Sequence, residues 1–63
     1  MNFNRILKFF KYDHLPEHLQ VVSKPFHDLA HSMADESENP AEVMAGLRKL
    51  LEAKDCFVRS LIK

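Results

Sequence analysis

Hydrophobic positions along this chain recur at helical spacing in three separate runs. Phe3, Ile6, Leu7 and Phe10 fall at i, i+3, i+4 and i+7, one face of a short amphipathic helix within Met1 to Tyr12. Leu15, Leu19, Val22, Phe26, Leu29 and Met33 follow at 4-3-4-3-4 spacing, a coiled-coil seam of nearly three heptads. Val43, Leu47, Leu50, Phe57 and Leu61 occupy the same frame in the last stretch, with Lys54 standing in the one place an apolar residue is missing. Met44, Leu51, Val58 and Ile62 widen this stripe, so it faces more than one neighbour.

Local signals punctuate the runs. Asp13 as an N-cap, or Pro16 as a first-turn residue, opens the second helix. Pro25 falls inside it, where a missing N–H and a steric clash predict a bend or irregularity around Val21 to Pro25 without ending the helix. The polar run Asp35-Glu36-Ser37-Glu38 reads as the long loop. Asn39-Pro40-Ala41-Glu42 then restarts the chain in a capping-box arrangement, with Asn as the cap and Pro at the first helical position. Two helices of about 19 and 23 residues would run about 28 and 34 Å, and a short loop folds them back on each other. The predicted fold class is all-α: an antiparallel helical hairpin over residues 13–63, preceded by a short N-terminal amphipathic segment over 1–12. One hairpin cannot cover both stripes, so the core is expected to be completed by homo-oligomerisation.

Size strengthens that expectation. At 63 residues, a chain buries only about 60% of its unfolded surface, and such scaffolds usually need a disulfide, a metal or self-association. Lone Cys56 excludes an intramolecular disulfide, and no Cys cluster supports structural zinc. Nine Lys and Arg balance nine Asp and Glu, which argues against a DNA or RNA polymer as partner. The charge is unevenly spread: residues 1–12 carry Arg5, Lys8 and Lys11 with no acid, so an anion site should draw on that segment. No run approaches the roughly 20 apolar residues that span a bilayer, and the amino terminus lacks the features of a secretory signal. With one unpaired thiol, the cytoplasm is the expected compartment.

Candidate chemistry is sparse. Lys54, in the apolar seam between Leu50 and Phe57, must meet a carboxylate, a carbonyl, an anion or water, and reads either as a snorkelling side chain at a hairpin or subunit edge or as an anion ligand. Arg48–Glu52 and Asp55–Arg59 stand at i, i+4 as surface pairs. His14/His18 and His27/His31 have a spacing that can place two imidazoles on one metal, but neither pair has a third ligand nearby, so no metal is expected. No glycine loop, nucleophile elbow or carboxylate cluster supports an enzyme, and no cofactor is implied. Phe9-Phe10-Lys11-Tyr12 interleaves aromatic faces with a cation, which suits stacking on a base beside a phosphate, although by itself the run reads first as an aromatic cap closing the open end of the hairpin. Lys24, just before Pro25, lies off the seam.

Tyr12 a few residues before Leu15-Pro16-Glu17, a lysine about three turns on, and the closing run Leu-Glu-Ala-Lys-Asp-Cys-Phe-Val-Arg-Ser together resemble a known family. This is the hairpin family of phage anti-CBASS sponge proteins, whose domain is shared with a Thoeris antagonist. The resemblance covers residues 12 to 62. It implies a small helical hairpin that assembles into homo-oligomers, commonly hexamers, and sequesters cyclic oligonucleotide immune signals in the host cytoplasm without cleaving them. It also implies that Tyr12 stacks on a base and that Arg59 matches the arginine of the family's Val-Arg-Ala ending. Lys24 is the nearest equivalent of the phosphate-contacting lysine, two residues earlier relative to the Leu-Pro start.

The expected function is therefore nucleotide sequestration at subunit interfaces. Tyr12 and Phe10 are the candidate base platform, and Lys24, Lys11, Lys54 and Arg59 the candidate phosphate contacts. The alternative is a hairpin that docks a partner helix through its apolar stripe and binds no small molecule. A membrane-surface anchor over residues 1–12 is a third reading, and the brevity of the segment argues against stable anchoring.

Overall fold

The N-terminal run folds as its spacing predicts, but in two pieces. In the computed structural model, which describes residues 3–36 and 38–62, helix α1 (Asn4–Leu7) tightens into a 3-10 turn over Lys8–Phe10. Met1 and Asn2, the predicted start of this segment, lie outside the described residues. The Leu7 N–H donates to the Phe3 carbonyl at 3.0 Å, and the Lys11 N–H closes the turn on the Lys8 carbonyl at 3.3 Å. The tighter turn separates two adjacent rings. Phe10 is fully buried, whereas Phe9 is 62% exposed.

Helix α2 (Glu17–Glu36) starts beyond Asp13, which sits in the preceding turn. Pro16 stands at the cap instead. Its carbonyl accepts from the N–H groups of Leu19 and Gln20 at 2.9 and 3.1 Å. The Gln20 side chain reaches back to the Leu15 carbonyl at 2.7 Å, which ties the entry turn to the first helical turn. Helix α2 continues unbroken through Pro25. Val21, whose carbonyl has no Pro25 N–H to accept from, is 75% exposed, so water is at hand for it.

Asp35 and Glu36 belong to α2, so the predicted four-residue loop is displaced and shortened. The link is residues 37–39, and Ser37 lies outside the described residues. Helix α3 (Pro40–Ser60) starts as its sequence predicts: extended Asn39 accepts the Glu42 N–H on Oδ1 at 3.2 Å, with Pro40 at the first position. The short link turns α3 back along α2, forming the antiparallel hairpin.

Ile6, Phe10, Ala30, Val43 and Leu47 form the buried core, so the N-terminal segment and both hairpin helices share it. The buried line of α2 is Leu19, Ser23 and Ala30, rotated from the predicted seam. Ser23 and Ala30 are small and wholly buried. The larger seam residues lie to one side: Leu15, Val22 and Phe26 are half-buried, while Leu29 and Met33 are exposed at 44% and 49%. On α3, Val43, Leu47 and Lys54 are buried, while Phe57 and Leu61 are exposed.

The hairpin consequently has two unlike flanks. On one, the N-terminal segment lies against Met44 and Leu51 of α3 and against His27 and His31 of α2. Met44 and Gly46 are two residues apart, about 200° around a helix, so Gly46 belongs to the other flank. There an apolar groove is lined by Leu29, Met33, Gly46, Leu47 and Leu50. Phe26 and Phe57 bridge the two helices with rings stacked 5.8 Å apart. No helix among the described residues is long and apolar enough to cross a membrane.

Candidate functional site

Past the 3-10 turn, Lys11 adopts extended backbone (φ −57°, ψ 142°), and the chain carries Tyr12 onto α2. The Tyr12 ring meets His27 edge to face, centroids 5.1 Å apart at 71°. One turn further along α2, His31 lies 4.4 Å from His27 between ring centroids. His27 Nδ1 is 2.9 Å from Asp28 Oδ1, which orients the imidazole and leaves its Nε2 for another partner. Lys11, Tyr12, Asp13 and His27 line one recess. Lys8, Lys11, His27 and His31 line the next, so Lys11 and His27 are common to both.

This groove combines an aromatic surface, two lysine ammonium groups and two imidazoles. Such a set can hold a planar ring by stacking and an anionic group by charge and hydrogen bonds. The acidic neighbours Asp13 and Asp28 limit its net positive character. Among the described residues no three His, Cys, Asp or Glu side chains gather as a metal site.

Of the residues singled out by sequence, Tyr12 and Lys11 are brought together here. Lys24 lies elsewhere, exposed in a shallow groove with Glu17, Gln20, Val21, Pro25 and Asp28. Arg59 is exposed in the last turn of α3, its Nη2 3.5 Å from Cys56 Sγ. Phe10 is wholly buried, so its ring is a core element with no face open to a base. Lys54 is 9% exposed; its ammonium donates to the Phe9 carbonyl at 2.5 Å, lies 3.7 Å from Asp55 Oδ1 and sits 5.9 Å from the centre of the Phe10 ring. The carbonyl is thus the partner Lys54 finds, and the lysine acts as a strut between α3 and the N-terminal segment.

Among the described residues, neither Arg48–Glu52 nor Asp55–Arg59 forms an ion pair; Asp55 approaches Lys54 instead. Lys8, His27 and His31 are the groove residues that sequence reasoning did not select as ligand contacts. The i, i+4 histidine spacing was the available signal, and its meaning here is two neighbouring rings on one helix face, of which His27 meets Tyr12. No protein-family model, no curated protein and no solved structure matches the chain.

Proposed function

We propose that this chain is a non-catalytic binding module, which sequesters a cyclic oligonucleotide or related nucleotide immune signal as a homo-oligomer and so antagonises host anti-phage defence. The observation that carries this reading is the Tyr12–Lys11–His27 groove. It joins the family-like tyrosine to a cation and a second ring within one recess. In this reading Tyr12 supplies the base platform, and Lys11 and Lys8 attract phosphate. Lys24 and Arg59 lie away from the groove and reach the ligand from a neighbouring protomer. Lys54 and Phe10 support the site from the core. Binding lowers the free signal concentration by mass action, with no turnover.

Calorimetric titration with cyclic di- and trinucleotides and cyclic ADP-ribose isomers tests this reading. Tight binding that Tyr12→Ala abolishes, with intact ligand recovered after denaturation, is the expected result. Silence across the panel from a folded oligomer would overturn it.

A second reading draws on the exposed apolar flank. Leu29, Met33 and Leu50 line a groove that an amphipathic partner helix fits, with no small-molecule ligand required. That reading gains if the titrations are silent and the chain is monomeric.

A further inference from the structure

The N-terminal segment has a second groove on its other side, against α3, and it involves none of the residues assigned above to ligand binding. Arg5, Ile6 and Phe9 from the segment line it with Met44, Arg48 and Leu51 from α3. Its volume is about 390 Å³, within the roughly 300–1,000 Å³ of small-molecule sites. Ile6 is buried and Met44 and Leu51 are half-buried, which gives an apolar floor. Arg5 and Arg48 are exposed, and among the described residues neither guanidinium has an ion-pair or hydrogen-bond partner.

Phe9 is the third element. Its ring is 62% exposed, and none of the ring–ring or cation–ring contacts among the described residues involves it. Its backbone, by contrast, is fixed, because its carbonyl accepts the Lys54 ammonium. A fixed backbone that presents an unoccupied aromatic face costs less to order on binding than a mobile one. No carboxylate lines the groove, in contrast to the Tyr12 recess with Asp13.

We infer that the Arg5–Phe9–Arg48 groove is a binding site for a nucleoside phosphate, distinct from the Tyr12 groove. The base lies on the Phe9 face above Ile6, Met44 and Leu51. Its phosphate is held by the Arg5 and Arg48 guanidinium groups, whose planar forks match phosphate oxygens. Lys54 is a positioning residue that holds the turn carrying Phe9.

The test is a titration of the ¹⁵N-labelled full chain with 5′-AMP, with adenosine and inorganic phosphate as separate arms. Saturable shifts are expected at residues 5–9 and 44–51, including the Arg5 and Arg48 side-chain Nε signals. Adenosine and phosphate alone should each bind about tenfold more weakly or less, because each makes half the contacts. Arg48→Gln and Phe9→Ala, both at exposed side chains, should each weaken AMP about tenfold with unchanged far-UV circular dichroism. Tyr12→Ala should leave AMP binding intact, which separates this site from the sequestration groove. Absence of saturable shifts would overturn the inference, as would shifts confined to Lys8, Lys11, Tyr12 and His27. Equal binding of phosphate and AMP would also overturn it, because the aromatic face would then contribute nothing.

Discussion

Lys54 and Phe9 are 45 residues apart in sequence, yet the ammonium of one donates to the carbonyl of the other at 2.5 Å. The last carbonyls of a short helical segment have no partner within it, and the Phe9 carbonyl is one of these. Lys54 satisfies it from the second half of α3, with the centre of the buried Phe10 ring 5.9 Å from the ammonium. This bond fastens the N-terminal segment to the hairpin at the turn from which Lys11 and Tyr12 depart.

Replacing Lys54 with Met keeps an apolar stem and removes the donor, leaving a half-sealed carbonyl without its partner. A hydrogen bond to a charged group contributes about 1.5–3 kcal/mol, and a loss in that range is expected in urea unfolding. Amide exchange should accelerate most at residues 6–11. Uniform destabilisation without that local opening would show that Lys54 does not fasten the segment.

Ser23 is fully buried where α2 meets its neighbours, and its Oγ makes no hydrogen bond among the described residues. A buried hydroxyl without a partner costs about 1–3 kcal/mol, and alanine fills nearly the same space. Ser23→Ala should therefore stabilise the fold by about 1 kcal/mol, read as a higher urea midpoint with unchanged slope. Destabilisation of that size would mean the hydroxyl has a partner in solution.

Asn39 is exposed, so its contribution is separable from packing. Asn39→Ala removes the acceptor of the Glu42 N–H and should cost about 1 kcal/mol, with Asn39→Asp retaining most of the stability. For a domain of this size, that loss lowers the melting temperature by roughly 4–8 °C. An unchanged melting temperature in Asn39→Ala would deny the cap an energetic role.

The cap and the helical class were legible because both depend on residues close in sequence. Asn39, Pro40 and Glu42 carry their geometry with them, and so does the spacing of Ile6 and Phe10. The rotation of the α2 core line was not legible. Periodicity weights large apolar residues such as Leu29 and Met33, whereas the wholly buried positions of α2 are the small Ser23 and Ala30, which a hydrophobic pattern discounts. The fate of Lys54 was open for a related reason. Its position in the seam required a partner, but a carbonyl 45 residues away leaves no mark in sequence. Tyr12 and Lys11 were found from their neighbours in the chain, while Lys8, His27 and His31 join them only through the docking of the N-terminal segment on α2.

The rotation that buries Ser23 and Ala30 also determines where the large seam residues go. Leu29, Met33, Phe57 and Leu61 are all more than 40% exposed, and Leu29 and Met33 border the groove that runs between α2 and α3. On that flank α2 keeps an apolar 4-3-4 frame in Val22, Phe26, Leu29 and Met33, and α3 offers Leu50, Phe57 and Leu61 in the same frame with Lys54 at the interrupted place, a surface against which a second hairpin can pack to give a four-helix arrangement. On the proposed homo-oligomeric reading, this flank faces another copy of the chain. Light scattering after gel filtration should then give a mass that is a multiple of 7.4 kDa. Met33→Glu combined with Phe57→Glu should reduce it to the monomer with helicity retained, because both side chains are exposed within one protomer. Nucleotide sequestration should weaken in the same variant, since Lys24 and Arg59 would no longer reach the Tyr12 groove from a neighbour. A wild-type monomer at high micromolar concentration would overturn the assembly. A monomeric double variant that still binds as tightly would place the whole site within one chain.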